Sequence, residues 1–313
     1  EADATLASFY RAYLDQRFQL EPLEATQLGD HRFDDRLEDV SAASRARWTD
    51  LTRTTLQRMP QAVDYAKLSR AGQIDFEILQ HELNKSLWLA ENTRPFEEDP
   101  RVYGDYISLS VYLLLTQSTA PKETNVANAI ARMKHIPAVI DAARSTLKHP
   151  PKSIVETAIS QNRGAIGLFE SGVFELAGET PQLPALRAAA APVAEKLRLY
   201  QLFLERELLP QATGDWRLGR DKFARKLELV LDANRTADQV LADAEAEFLR
   251  VNRELYVVSR QLWSRYFPQQ PLPPDDDAGR RQTVSRVIEA VSREHGTPEA
   301  LITDARASVD RIK

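Results

Sequence analysis

The chain has 313 residues, 43% hydrophobic and 28% charged, with a net charge of −5. That is enough chain to bury a large core without metal or disulfide staples, and the charge gives no basic footprint for nucleic acid. The absence of cysteine removes disulfides, thiolate zinc sites and cysteine nucleophiles together. Scarce glycine beside abundant Ala, Leu, Glu and Arg favours helices, because those side chains lose little freedom there.

Apolar residues recur at helical spacing almost throughout. Leu6, Tyr10, Tyr13, Leu14 and Phe18 form one stripe, Pro22 opens a short turn and Gly29 closes it. The charged, aperiodic run Asp30-His31-Arg32-Phe33-Asp34-Asp35-Arg36 predicts a loop. Ser41 caps a helix through Trp48, Leu51 and Leu56, and Ser69 begins a long one carrying Ile74, Ile78, Leu79 and Leu83. Thr93 to Tyr103 reads as a connection because it holds Pro95 and Pro100. Ile107 to Leu115 is apolar on all sides, which predicts a buried helix, with a strand as the alternative.

Pro121, Pro137 and Pro150-Pro151 each open a new helical pattern. Gly164 and Gly167 lie inside the helix after Pro151 and predict close approach of another helix. Pro192 predicts a break or kink in the Ala-rich helix that follows Gly178, and Asp215 to Gly219 reads as a connector. Thr236 caps the longest helix, which runs to Phe267. Residues 268–277 form a Pro/Asp-rich linker, and residues 278–313 a helical tail. The expected architecture is all-α, ten to twelve helices with few or no strands. Its main domain is residues 1–267, with the tail packed on it or on chain beyond it. Leu301, Ile302, Ala305 and Val309 of the last helix need a partner surface, so the chain reads as cut short.

No apolar run reaches the ~20 residues that span a bilayer. The start at Glu1, without Met, reads as processed, so an exported location, periplasmic or lipid-anchored, is favoured over a cytoplasmic one.

A helical hydrolytic zinc site needs two histidines four residues apart, with a glutamate to activate water. His81-Glu82 satisfies half of that pattern, but Lys85 occupies the second ligand position; Glu77, one turn earlier, is the remaining partner for His81. The bland reading is a polar helix edge. Asp30, His31, Arg32, Asp34 and Asp35 form the densest polar cluster, either a cation or substrate site or a loop held by Asx turns and Arg–Asp pairs. Tyr103, Tyr106 and Tyr112, with Glu156 and Gln161, are candidates to line a ligand cleft, against the ordinary reading of such tyrosines as core residues with a satisfied tip. Nucleotide loops and Gly-x-Ser-x-Gly do not occur, and no Ser-x-x-Lys stands in a credible setting.

Five stretches in order resemble the bacterial domain of unknown function 885: Leu28 to Leu37, Arg94 to Pro100, Pro150 to Ile159, Trp216 to Phe223 with the Thr236-Ala237-Asp238 cap, and Gly296 to Leu301. The resemblance implies a helical zinc metallopeptidase-like protein whose His-Glu-x-x-x-x-His helix lies in the second half of a longer chain. That helix does not occur here, so none of the family's zinc ligands carries over. The expectation is an amino-terminal, non-catalytic half that is inactive alone and forms one side of a cleft for a peptide-like substrate. Zinc would come only with the missing half, and homo-oligomerisation stays open. The alternative is a helical binding or interaction module without catalysis.

Overall fold

The computed structural model describes residues 1–232 and 234–312. Among them 79% are helical and 1% strand, with no sheet, so the all-α expectation holds. The chain divides into two compact units, Glu1–Val230 and Leu231–Lys313.

The first unit begins with α1 (Ala2–Leu20) and α2 (Pro22–Gln27), followed by the single turn His31–Phe33. Helices α3 (Ala42–Ala62) and α4 (Arg70–Asn92) pair with α1 around a core of Leu6, Tyr13, Met59, Phe76, Leu79 and Leu83. Both start at serine caps, Ser41 accepting from Ser44 N and Ser69 from Gly72 N. The buried stripe of α4 is set by Phe76, while Ile74 and Ile78 face outward.

The connection expected at Thr93 to Tyr103 is instead helical: α5 (Pro95–Glu98) and α6 (Pro100–Thr116) each carry their proline at the first position. A proline there forfeits only an N–H that would have no partner, and the Asp99 carboxylate accepts from Arg101 N at 3.0 Å to finish the cap. Helix α6 buries Tyr103, Ile107, Val111 and Leu114, spaced by four and three, so Ile107 to Leu115 is helix and not strand. Around it pack α7 (Lys122–Met133), α8 (Ile136–Thr146), α9 (Lys152–Gly167) and α10 (Val173–Ala177), and α11 (Leu183–Phe203) packs on α7, α8 and α9 to close the larger of the two cores. A π-turn at Leu168–Gly172 joins α9 to α10, and another follows α11 at Leu204–Leu208.

Pro192 does not break α11. It sits on the exposed side of the helix, where water can satisfy the carbonyl it abandons, while Ala190, Val193, Ala194 and Leu197 anchor the opposite side in the core. The expected close approach at Gly164 and Gly167 is also absent: a Cβ built on either would meet nothing within 4 Å. Helix α12 (Arg220–Leu231) ends this unit.

In the second unit α13 (Ala237–Tyr266) starts from a complete capping box between Thr236 and Gln239. The Pro/Asp-rich stretch is the bend of a helical hairpin, because α13 pairs with α14 (Asp277–Val291). Trp263 Nε1 donates to Gln270 O at 3.0 Å, and the Arg286 guanidinium covers the Trp263 and Phe267 rings at 5.1 and 4.4 Å. The contact division therefore falls at Val230, ahead of the longest helix, and not at the composition break. Helix α15 (Leu301–Ile312) leaves Leu301, Ile302, Val309 and Ile312 exposed.

Candidate functional site

Helices α6 and α9 run side by side in the first unit, and an open cavity of about 320 Å³ lies along their contact. This is at the small end of the range for ligand sites. Gly104 on α6 and Gly164 on α9 face it, and neither would meet an atom within 4 Å if it carried a Cβ. Two side chains missing from facing helices leave the gap, which is what those glycines do here.

Polar groups from three helices converge on this space. Arg101 and Asp105 come from the first turns of α6, Gln161 and Asn162 from α9, and Tyr200 from α11. Arg101 is held against Asp99 at 2.7 and 2.9 Å. The buried Asn162 amide donates to Leu197 O at 3.1 Å and to Gln201 Oε1 at 2.8 Å, fixing α9 to α11. Gln161, one residue earlier, is exposed. Tyr200 is 2% exposed, yet its hydroxyl has no hydrogen-bond partner, and burial pushes its phenol far above the usual range. The Asp105 carboxyl is raised by partial burial and by the Asp99 charge. A neutral hydroxyl, a carboxylate and an amide thus border one small space. They can donate to and accept from a ligand bearing both amide N–H and C=O groups.

The five residues picked from the sequence as cleft candidates do not share a cavity. Gln161 lines the α6–α9 space. Tyr106 faces the opposite side of α6, in a second cavity of about 380 Å³. Glu156 borders a third, shallow depression with Lys152, Asp215 and Trp216. Tyr103 lies in the core with its hydroxyl donating to Phe96 O at 2.8 Å. Tyr112 is exposed and lines none of these. Arg101, Asp105, Asn162 and Tyr200 were not singled out in the sequence; the only cue to them was a glycine within each of the two facing helices, Gly104 and Gly164.

The cluster after Gly29 is tied into the protein. Asp30 accepts from Arg32 N at 3.1 Å in an Asx turn and pairs with the Arg32 guanidinium, which also reaches Asp15 at 2.7 Å. His31 Nδ1 lies 2.8 Å from Asp34 Oδ2 and its Nε2 lies 3.1 Å from Thr119 Oγ1. Asp35 sits at the surface, 3.8 Å from Arg36. Beneath them lies a cation the sequence reading overlooked: Arg132, wholly buried, donates to Arg36 O at 2.7 Å, Ser110 O at 3.0 Å and Thr26 Oγ1 at 2.5 Å.

Glu77 and His81 are each engaged with other groups of the protein. Tyr65 donates its hydroxyl to Glu77, and Arg70 lies 3.7 Å from the same carboxylate. His81 Nε2 is 2.8 Å from Leu229 O; a carbonyl only accepts, so Nε2 carries the proton and the ring's lone pair lies on Nδ1. Lys85 turns to Glu82 at 2.6 Å. Among the described residues no three His, Asp or Glu side chains are grouped to hold a metal.

The family model described as bacterial protein of unknown function, domain of unknown function 885, matches residues 22–313. The chain belongs to this family. Among solved structures, one from Shewanella oneidensis, described as "a putative lipoprotein of unknown function", shares the fold with a TM-score of 0.74 at 22% identity. The match covers 98% of this chain and 56% of that one, so this family member spans a little over half the length of the solved structure. None of the curated proteins matches it. Among the described residues no helix of this family member is long and apolar enough to cross a membrane.

Proposed function

We propose that this chain is the amino-terminal, non-catalytic part of a zinc-dependent peptidase-like protein, and that its α6–α9 cavity forms one side of a peptide-binding cleft. The observation that carries the reading is that the exposed side chains of Gln161 and Asp105 border the same cavity from facing helices. The Gln161 amide can donate to a ligand carbonyl, and the Asp105 carboxylate can accept from a ligand amide N–H. Peptide is the class of ligand that offers both. The hydrolytic zinc belongs, in this reading, to chain outside these residues, in keeping with the 56% coverage of the solved structure. The likeness to a structure described as a lipoprotein supports an exported, lipid-anchored or periplasmic setting.

The test pairs two chains. Isothermal titration of the 313-residue protein with a mixture of blocked tripeptides should give saturable binding that Gln161→Ala and Asp105→Asn weaken. A chain lengthened to match its relatives should add stoichiometric zinc and cleave the same peptides. Stoichiometric zinc or peptidase activity in the short chain overturns the division of labour.

A second reading is supported by one feature. Phe248, Leu249, Val257 and Val258 of α13 are all more than half exposed, as an interaction module would leave them. Retention of full binding to a partner by a chain unable to bind peptide would favour it.

A further inference from the structure

Helix α13 carries two apolar faces. On one, Tyr256 and Trp263 lie under the Arg280 and Arg286 guanidiniums of α14. The other repeats at intervals of three and four, Leu241, Ala244, Phe248, Val251, Leu255 and Val258, and every one of these side chains is exposed. A three-four apolar repeat kept through successive heptads is the seam of a helix pair. Helix α15 carries a shorter stripe of the same period, Ile302, Ala305, Val309 and Ile312, and it too is exposed throughout. The single chain therefore leaves open both a seam and a stripe that matches it, and α15 does not cover its own α13.

We propose that α13 receives α15 of a second copy of this chain in antiparallel register, and that two copies exchange these helices reciprocally. Side-chain size selects the register. Antiparallel pairing stacks Ile312 on Leu241, Val309 on Ala244, Ala305 on Phe248 and Ile302 on Val251, so that each alanine meets a larger residue. Parallel pairing sets Ala305 on Ala244 and Val309 on Phe248, a void beside a crowded layer. Charge selects the same register. Arg306 flanks the α15 stripe and Glu245 the α13 seam, and neither pairs with an opposite charge among the described residues. The antiparallel register brings these two to one side of the seam, whereas the parallel one sets Arg306 against Val240. On the other flank Glu247 is already held by Arg250 at 2.6 Å and faces the neutral Ser308. Asp304 and Asp310 point away from the α15 stripe, so no carboxylate of α15 opposes the acidic seam. One seam and one stripe per copy are both covered in a twofold dimer, which closes without an open end. The proposal stands whether or not the α6–α9 cavity binds peptide.

Sedimentation equilibrium of the 313-residue protein over a concentration series should give a monomer–dimer equilibrium. Phe248→Glu and Ile302→Glu alter exposed positions and should each abolish the dimer while circular dichroism stays unchanged. Arg306→Glu and Glu245→Arg should each weaken association about tenfold, from the two pairs reversed in every dimer, and together restore it. Ala305→Phe should also weaken association, and adding Phe248→Ala should recover it, because the two share a layer only in the antiparallel register. A monomer at every concentration, a dimer indifferent to Phe248→Glu and Ile302→Glu, or a failure of both paired variants to recover overturns the proposal. So does a monomer whose melting temperature follows the charge reversal and its rescue, which would place α15 on its own α13.

Discussion

Arg132 NH2 lies 3.8 Å from Asp34 Oδ1, and both side chains are shut away from solvent. Thr26 completes the link, giving its hydroxyl to Asp34 at 2.6 Å while it accepts from Arg132. One cation from α7 thereby fastens α2, the loop after it and α6. Removing one member of such a buried set leaves the others desolvated and unpaired, so Arg132→Ala should cost about 3–5 kcal/mol. Urea unfolding followed by circular dichroism will read this as a lower midpoint. A loss under about 1 kcal/mol would mean that water replaces the guanidinium.

Glu38 should make stability fall with rising pH. Its folded carboxyl is raised from 4.5 to about 7 by burial, so between those values the folded state holds a proton that the unfolded chain releases. The sign is therefore opposite to that of a salt-bridged carboxylate: the penalty is absent below about 4.5 and complete above about 7, on the order of 3 kcal/mol. Glu38→Gln should flatten this dependence and raise the urea midpoint at pH 8. Parallel slopes for both proteins across pH 5 to 8 would refute it.

Tyr200→Phe removes a buried hydroxyl that has no partner in the unliganded protein. Stability should rise by about 1 kcal/mol or stay level, in contrast to the loss usual for a core substitution. Thermal unfolding decides the matter, and a clear loss would reveal an ordered water on that oxygen.

Gly164 separates filling from folding. With open space where its Cβ would go, Gly164→Ala should stabilise α9 by up to about 1 kcal/mol, the intrinsic helix preference of alanine. Gly164→Leu should project into the α6–α9 space and weaken peptide binding while leaving the unfolding midpoint near that of the parent. Unchanged binding with the leucine in place would move the ligand elsewhere.

Helix after helix was legible in the sequence because caps and periodicity are local: Ser41, Ser69 and Thr236 mark their helices by side-chain bonds that span three residues. Errors arose where a proline's meaning depends on its surroundings. Pro95 and Pro100 start helices, and Pro192 rides on the exposed side of one, though proline alone signals interruption. Long-range partners were not legible. Arg132 and Thr26 are 106 positions apart, and nothing near either foretells the other. Tyr106 and Gln161 were picked by residue type, yet which side of α6 each serves depends on the crossing of α6 with α9, a property of packing that spacing along one chain does not encode.

Asp105 and Leu109 border both cavities of the first unit. Helix α6 is thus a party wall, and its single carboxylate is common property of two chambers. A positive charge arriving in one chamber draws down the proton affinity of Asp105 and alters the field in the other.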